Sequence, residues 1–167
     1  MNSFDKVIGY KSIKRELLQI CDMIRNRTIY EKMGARLPHG LLLYGDPGLG
    51  KSLLANCFME ECGLNTVTVR RDKGGDAFIN SIAQAFAKAK EEAPSVLLLD
   101  DMDKFANEDS SRCDAPEYVA VQAGIDDVKE TAVFVIATAN EIRKLPDSLC
   151  RSGRFDRKIR IQPPTAA

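Results

Sequence analysis

The octapeptide Gly45-Asp46-Pro47-Gly48-Leu49-Gly50-Lys51-Ser52 constrains this chain more than any other stretch. It fits the pattern GxxxxGKS and follows Leu41-Leu42-Leu43-Tyr44, an apolar run that reads as a buried strand. Ser52 to Cys62 reads as a helix, with Gly63 placed to end it. A strand, a glycine-rich turn and a helix in that order make a phosphate cradle. Glycines let the backbone curl so that successive N–H groups point inward at phosphate oxygens, and the helix start adds its positive end. Lys51 supplies a mobile cation for the β- and γ-phosphates, and the Ser52 hydroxyl suits Mg2+. The nucleotide-binding candidates are thus Asp46, Pro47, Gly48, Leu49, Gly50, Lys51, Ser52 and the adjoining Leu53.

Short apolar runs alternate with amphipathic stretches along the rest of the chain. Ile13, Leu17, Ile20 and Ile24 mark a helix from about Tyr10 to Arg27. Thr66 to Val69 is β-branched and predicts a second strand. Asp76 is placed to cap a helix carrying Ile79, Ile82, Ala83, Phe86 and Ala89 on one face. Val96 to Leu99 predicts a third strand, Tyr118 to Asp127 a helix and Ala132 to Ala137 a fourth strand. Lys158 to Ile161 predicts a fifth strand nearer the sheet edge, and Asn107 to Asp114 a mobile loop. Strands apolar on both faces and alternating with helices imply a mostly parallel sheet covered on both sides. Ligands of such sheets bind beyond the carboxyl ends of the strands, which points to the residues just after Tyr44, Leu99 and Ala137.

Two of those places carry further polar groups. The third strand runs into Asp100-Asp101, where Asp100 is placed to hold Mg2+ and Asp101 to orient or deprotonate an attacking water. The fourth runs into Thr138-Ala139-Asn140, whose amide is placed to hold the same water or a γ-phosphate oxygen.

Composition closes other routes. The 24 Lys+Arg balance 24 Asp+Glu, so a general electrostatic grip on nucleic acid or anionic membrane has no support. The stretch from Ala132 to Ala139 is too short to span a bilayer. The five cysteines (Cys21, Cys57, Cys62, Cys113, Cys150) include no CxxC pair, which favours a reducing, cytoplasmic setting over a disulfide or zinc framework. His39 is the single histidine, so a Ser-His-Asp triad or a histidine metal site has little material.

In order, these pieces resemble the AAA ATPases, most closely the membrane-anchored AAA proteases and proteasomal ATPases. Leu37 to Ser52 is similar to the segment leading through their Walker A loop, Val96 to Asp101 to Walker B, and Val135 to Asn140 to the sensor-1 strand. Leu145 to Leu149, followed by Cys150-Arg151-Ser152-Gly153-Arg154-Phe155-Asp156-Arg157, resembles the family's second region of homology. The resemblance implies a three-layer α/β/α P-loop NTPase fold and adenine contacts from Ile8 and Gly9. It also implies Mg2+ with ATP or ADP, and a hexameric ring acting on protein substrates. Arg151 and Arg154 would then be arginine fingers reaching a neighbouring subunit's γ-phosphate.

Three departures qualify it. The family has Glu where Asp101 stands, one methylene longer. Its aromatic pore-loop motif has no match in Arg70 to Asp76, and helix periodicity claims Phe78 and Ile79 for the core. Its small helical lid is absent, so residues 1–163 read as the large nucleotide-binding subdomain with a tail at 164–167. Hydrolysis coupled to protein remodelling is the leading expectation. A nucleotide-binding switch with little or no turnover is the alternative, favoured by Asp101 and the missing pore aromatic. A P-loop kinase or GTPase lacks an NKxD-type segment and leaves Arg151 to Arg157 without a role.

Overall fold

The computed structural model describes residues 2–71, 75–104, 116–150 and 154–163. Among them the apolar runs become β1 (Gly40–Tyr44), β2 (Asn65–Val69), β3 (Ser95–Leu99), β4 (Val133–Ala139) and β5 (Arg157–Arg160). These form one sheet in the order β2-β3-β4-β1-β5, and every pairing is parallel. The helices are α1 (Lys11–Arg25), α2 (Arg27–Lys32), α3 (Lys51–Cys62), α4 (Gly75–Glu91) and α5 (Pro116–Val128).

Alternation along each strand builds the layers. Leu41 and Leu43 of β1, Val96 and Leu98 of β3, and Phe134 and Ile136 of β4 pack with Leu17, Ile20, Leu54 and Phe58 of α1 and α3. The intervening Leu42, Leu97, Leu99, Val135 and Ala137 pack with Phe78, Ile82, Phe86, Val121 and Ile125 of α4 and α5. The fold is therefore the three-layer α/β/α sandwich anticipated for a P-loop NTPase, with β5 at a sheet edge. No helix among the described residues is long and apolar enough to cross a membrane.

Several local expectations need correction. The first helix stops at Arg25, where Asn26 turns out of helical geometry and α2 begins. α2 has no buried residue and so left no apolar pattern to read. α4 begins at Gly75, which puts Asp76 inside its first turn rather than at its cap. There its charge still favours the positive helix end. The buried face of α4 is Phe78, Ile82, Phe86 and Ala89; Ile79 is only half-buried and Ala83 is exposed. The large Phe78 ring takes the core position, and the helix is rotated accordingly. The expected loop from Asn107 to Asp114 lies outside the described residues.

Gly124 brings α5 against α4: a Cβ there would meet the Phe86 ring at 2.3 Å. Gly124→Ala is predicted to lower the unfolding free energy by about 1–3 kcal/mol in a urea titration, although alanine is the better helix former. Adding Phe86→Leu is predicted to recover part of that loss.

Candidate functional site

The strand order sets β3, β4 and β1 side by side, so the residues that leave their carboxyl ends emerge together. Leu99 pairs with Ala137, which brings Asp100 beside Thr138. The Thr138 hydroxyl donates to Asp100 Oδ1 at 2.7 Å. Ser52, in the first turn of α3, donates its hydroxyl to the same oxygen at 2.9 Å. The other oxygen, Oδ2, accepts from Arg70 Nε at 2.8 Å. The Asp100 side chain is only 6% exposed, so these donors stand in for water around a buried carboxylate.

The glycine-rich loop is built from backbone conformations that side chains disfavour. Gly48 and Gly50 have φ of 82° and 85°, with no atom within 4 Å of where a Cβ would lie. Their left-handed geometry favours glycine, although a Cβ at either position would meet no neighbour. Asp46, Pro47 and Gly48 are exposed, Leu49 and Gly50 half-buried, and Leu53 faces outward from α3. Lys51 is buried, and its ammonium donates to the Asp46 carbonyl at 2.7 Å. Burial pushes its pKa below the ordinary lysine value, against the opposing pull of Asp101, Asp103 and Asp46. A phosphate chain in the loop offers that ammonium a stronger partner than a carbonyl.

Asp101 has φ of 53°, and its backbone N–H donates to Thr138 Oγ1 at 2.9 Å. Its half-buried side chain pairs with Lys104 at 3.4 Å. Asn140 is half-buried at the end of β4, and its backbone N–H donates to Asp103 Oδ2 at 3.2 Å. Glu141 N–H donates to the same oxygen at 3.1 Å. Asp103 thus clamps the turn that presents Asn140. Lys51, Ser52, Asp100, Asp101 and Asn140 accordingly share one edge of the sheet.

The other candidates lie on its flanks. Ile8 is 91% exposed, and Gly9 next to it has φ of 81°. Tyr10 follows with φ of 56°, and its hydroxyl donates to the Leu49 carbonyl at 2.8 Å. The N-terminal segment is therefore fastened to the phosphate loop while Ile8 stays exposed. Arg154 is held within its own chain. Its Nε and Nη2 bond the two Asp126 oxygens of α5 at 3.1 and 2.9 Å, and Nη1 bonds the Ser148 carbonyl at 2.9 Å. Hydrogen bonding to this guanidinium holds the Asp126 carboxyl below its usual range. Arg151 lies outside the described residues.

Tyr10, Arg70, Asp103 and Thr138 escaped the reading of the sequence. Asp103 left a faint signal, a third carboxylate within Asp100-Asp101-Met102-Asp103. Thr138 stood inside the strand end already singled out. Arg70 acts through a partner that the β2–β3 pairing supplies, and Tyr10 through the Leu49 carbonyl, which only the folded chain brings near.

The family model for the ATPase family associated with various cellular activities (AAA) matches residues 41–163. The ATP-dependent zinc metalloprotease FtsH of Mycoplasma pneumoniae is 34% identical over 96% of this chain and 24% of its own length. The protein of that name from Leptotrichia buccalis is 32% identical over 96% of this chain and 22% of its own. The ATP-dependent zinc metalloprotease FtsH 2 of Symbiobacterium thermophilum is 32% identical over 99% and 30%. The chain thus spans roughly a quarter of the length of these relatives.

Thr138 offers a test of the site's scaffold. Thr138→Val keeps the shape of the side chain and removes both hydrogen bonds of its hydroxyl. The expected result is a loss of about 1–3 kcal/mol in unfolding free energy by chemical denaturation, because buried polar partners are left unmet.

Proposed function

The chain belongs to the AAA family of ATPases, and from that membership we propose that it binds Mg2+-ATP and hydrolyses it as one module of a ring. The observation that carries this reading is the contact between the Ser52 hydroxyl and Asp100 Oδ1 at 2.9 Å, beside the open glycine loop. Two hard oxygen donors beside the glycine-rich loop support a metal held next to the phosphates. No cluster of three or more His, Cys, Asp or Glu side chains able to hold a metal occurs among the described residues. That donor set fits an ion that keeps water and phosphate oxygens as its other ligands, as Mg2+ does. When bound, Mg2+ neutralises charge on the β- and γ-phosphate oxygens.

The remaining roles belong to the chain's own residues. N–H groups of Asp46 and of Gly48 to Ser52 cradle the phosphates, helped by the N-terminus of α3. Lys51 exchanges the Asp46 carbonyl for phosphate oxygen, while Ile8, Gly9 and Leu53 border the base. Asp101 orients the attacking water and accepts its proton, and the Asn140 amide holds that water or a γ-phosphate oxygen. Arg151 and Arg154 act on the nucleotide of a neighbouring subunit in a hexamer. For Arg154 that action requires exchanging Asp126 for phosphate, a like-for-like swap of one bidentate anion for another.

Residues 1–163 serve as the large nucleotide-binding subdomain of a longer chain, whose helical lid completes the pocket. The relatives are ATP-dependent metalloproteases by name, which supports a protein as the substrate remodelled by the ring.

Calorimetry and turnover on the assembled parent test the proposal. Wild type is expected to bind ATP, and Lys51→Ala to lose at least about a hundredfold in affinity with the phosphate cation gone. Asp101→Asn is expected to bind ATP without turning it over. Asp101→Glu is expected to raise turnover, by up to about a hundredfold where reach limits the carboxylate. Wild type that ignores adenine nucleotides, or Lys51→Ala that binds equally well, defeats the binding reading. Tight binding without turnover in a confirmed ring defeats hydrolysis.

A further inference from the structure

Arg70 is the first residue past β2, and none of the roles above uses it. Val69 pairs with Leu99, so the residues that follow, Arg70 and Asp100, lie next to each other where the two strands end. The Asp100 N–H donates to the Val69 carbonyl at 3.0 Å, which fixes that register at the site itself. Arg70 Nε then bonds Asp100 Oδ2, while Ser52 and Thr138 both occupy Oδ1. The pair is lopsided: the carboxylate is 6% exposed and the arginine 58%. Its neighbour Arg71 goes elsewhere, to the Lys104 carbonyl at 2.8 Å and over the Phe78 ring. Of the two adjacent arginines, one is thus committed to the carboxylate proposed to hold the metal.

We infer that Arg70 is a resident counter-ion of Asp100, which competes with Mg2+ for that carboxylate and so sets how strongly nucleotide binding depends on the metal. This inference rests on the nucleotide reading above. A buried carboxylate needs a positive partner, and Arg70 supplies one when no metal is present. Two cations on one carboxylate repel, so each weakens the other's hold by the same factor. The exposed arginine stem also lets the guanidinium swing toward phosphate, where it partly replaces the metal's charge. Both effects act in one direction. They shrink the ratio between nucleotide affinity with Mg2+ and affinity without it.

The test is calorimetric titration with the β,γ-imido analogue of ATP, once in Mg2+ and once in EDTA. Wild type, Arg70→Met, Arg70→Gln and Arg70→Lys are compared. The Mg2+-to-EDTA affinity ratio is expected to rise about tenfold in Arg70→Met, the size of one charge-assisted contact. Arg70→Gln is expected to follow it, and to carry the test should Arg70→Met not fold. Arg70→Lys is expected to fall between these and wild type. An unchanged or smaller ratio in the uncharged variants overturns the counter-ion role and leaves nucleotide binding intact. Wild type that binds the analogue in neither buffer overturns the nucleotide reading, and this inference with it.

Discussion

The Asp100 carboxylate sits where β3, β4 and α3 meet and accepts hydrogen bonds from Thr138, Ser52 and Arg70. Each donor belongs to a different part of the chain. The hydroxyl that satisfies the carboxylate also receives the next backbone N–H, that of Asp101. Leaving so buried a charge without partners would cost several kcal/mol, so the strand ends and the first turn of α3 have little freedom to separate. The same bonds hold the candidate chemical groups within reach of one another. Stability and site geometry here come from one set of contacts.

Much of this was legible because parts of the sequence specify backbone conformation locally. GxxxxGKS prescribes left-handed glycines and a helix start within eight residues, so the loop and its flanking elements could be placed from one stretch. Apolar runs broken by Gly or Asp placed the strands in the same way. α4 shows where that stops. Its sequence contains two overlapping apolar faces, one through Phe78 and one through Ile79. Phe86 and Ile82 belong to both, and the folded core takes the first, with Phe78 fully buried and Ile79 half-buried.

The unread site residues share a cause. Arg70, Asp103 and Tyr10 reach partners 30, 37 and 39 residues away. Arg70 meets Asp100 only because β2 pairs with β3, Asp103 meets Asn140 only because β3 pairs with β4, and Tyr10 meets Leu49 only where the N-terminal segment packs beside the phosphate loop. A single chain's pattern gives the existence of strands far more readily than their order. Arg154 is similar. Its sequence surroundings suggested an outward-reaching cation, whereas the fold gives it a bidentate partner on α5 before any neighbour arrives. In the proposed ring, that tether makes the arginine's starting position definite rather than random.

The two ends of the phosphate loop differ in a way that matters for motion. At Gly48 and Gly50 nothing crowds the backbone, whereas a Cβ on Gly45 would fall 2.2 Å from the Ile161 carbonyl oxygen. Ile161 in turn donates its N–H to the Tyr44 carbonyl at 2.7 Å. The loop is uncrowded at its tip and seated on bare backbone at its root. Any shift at that root must carry β5 along, and Arg154 lies only three residues before β5 begins. One short strand thus works as a tie rod between the root of the phosphate loop and the stretch of chain that carries Arg154.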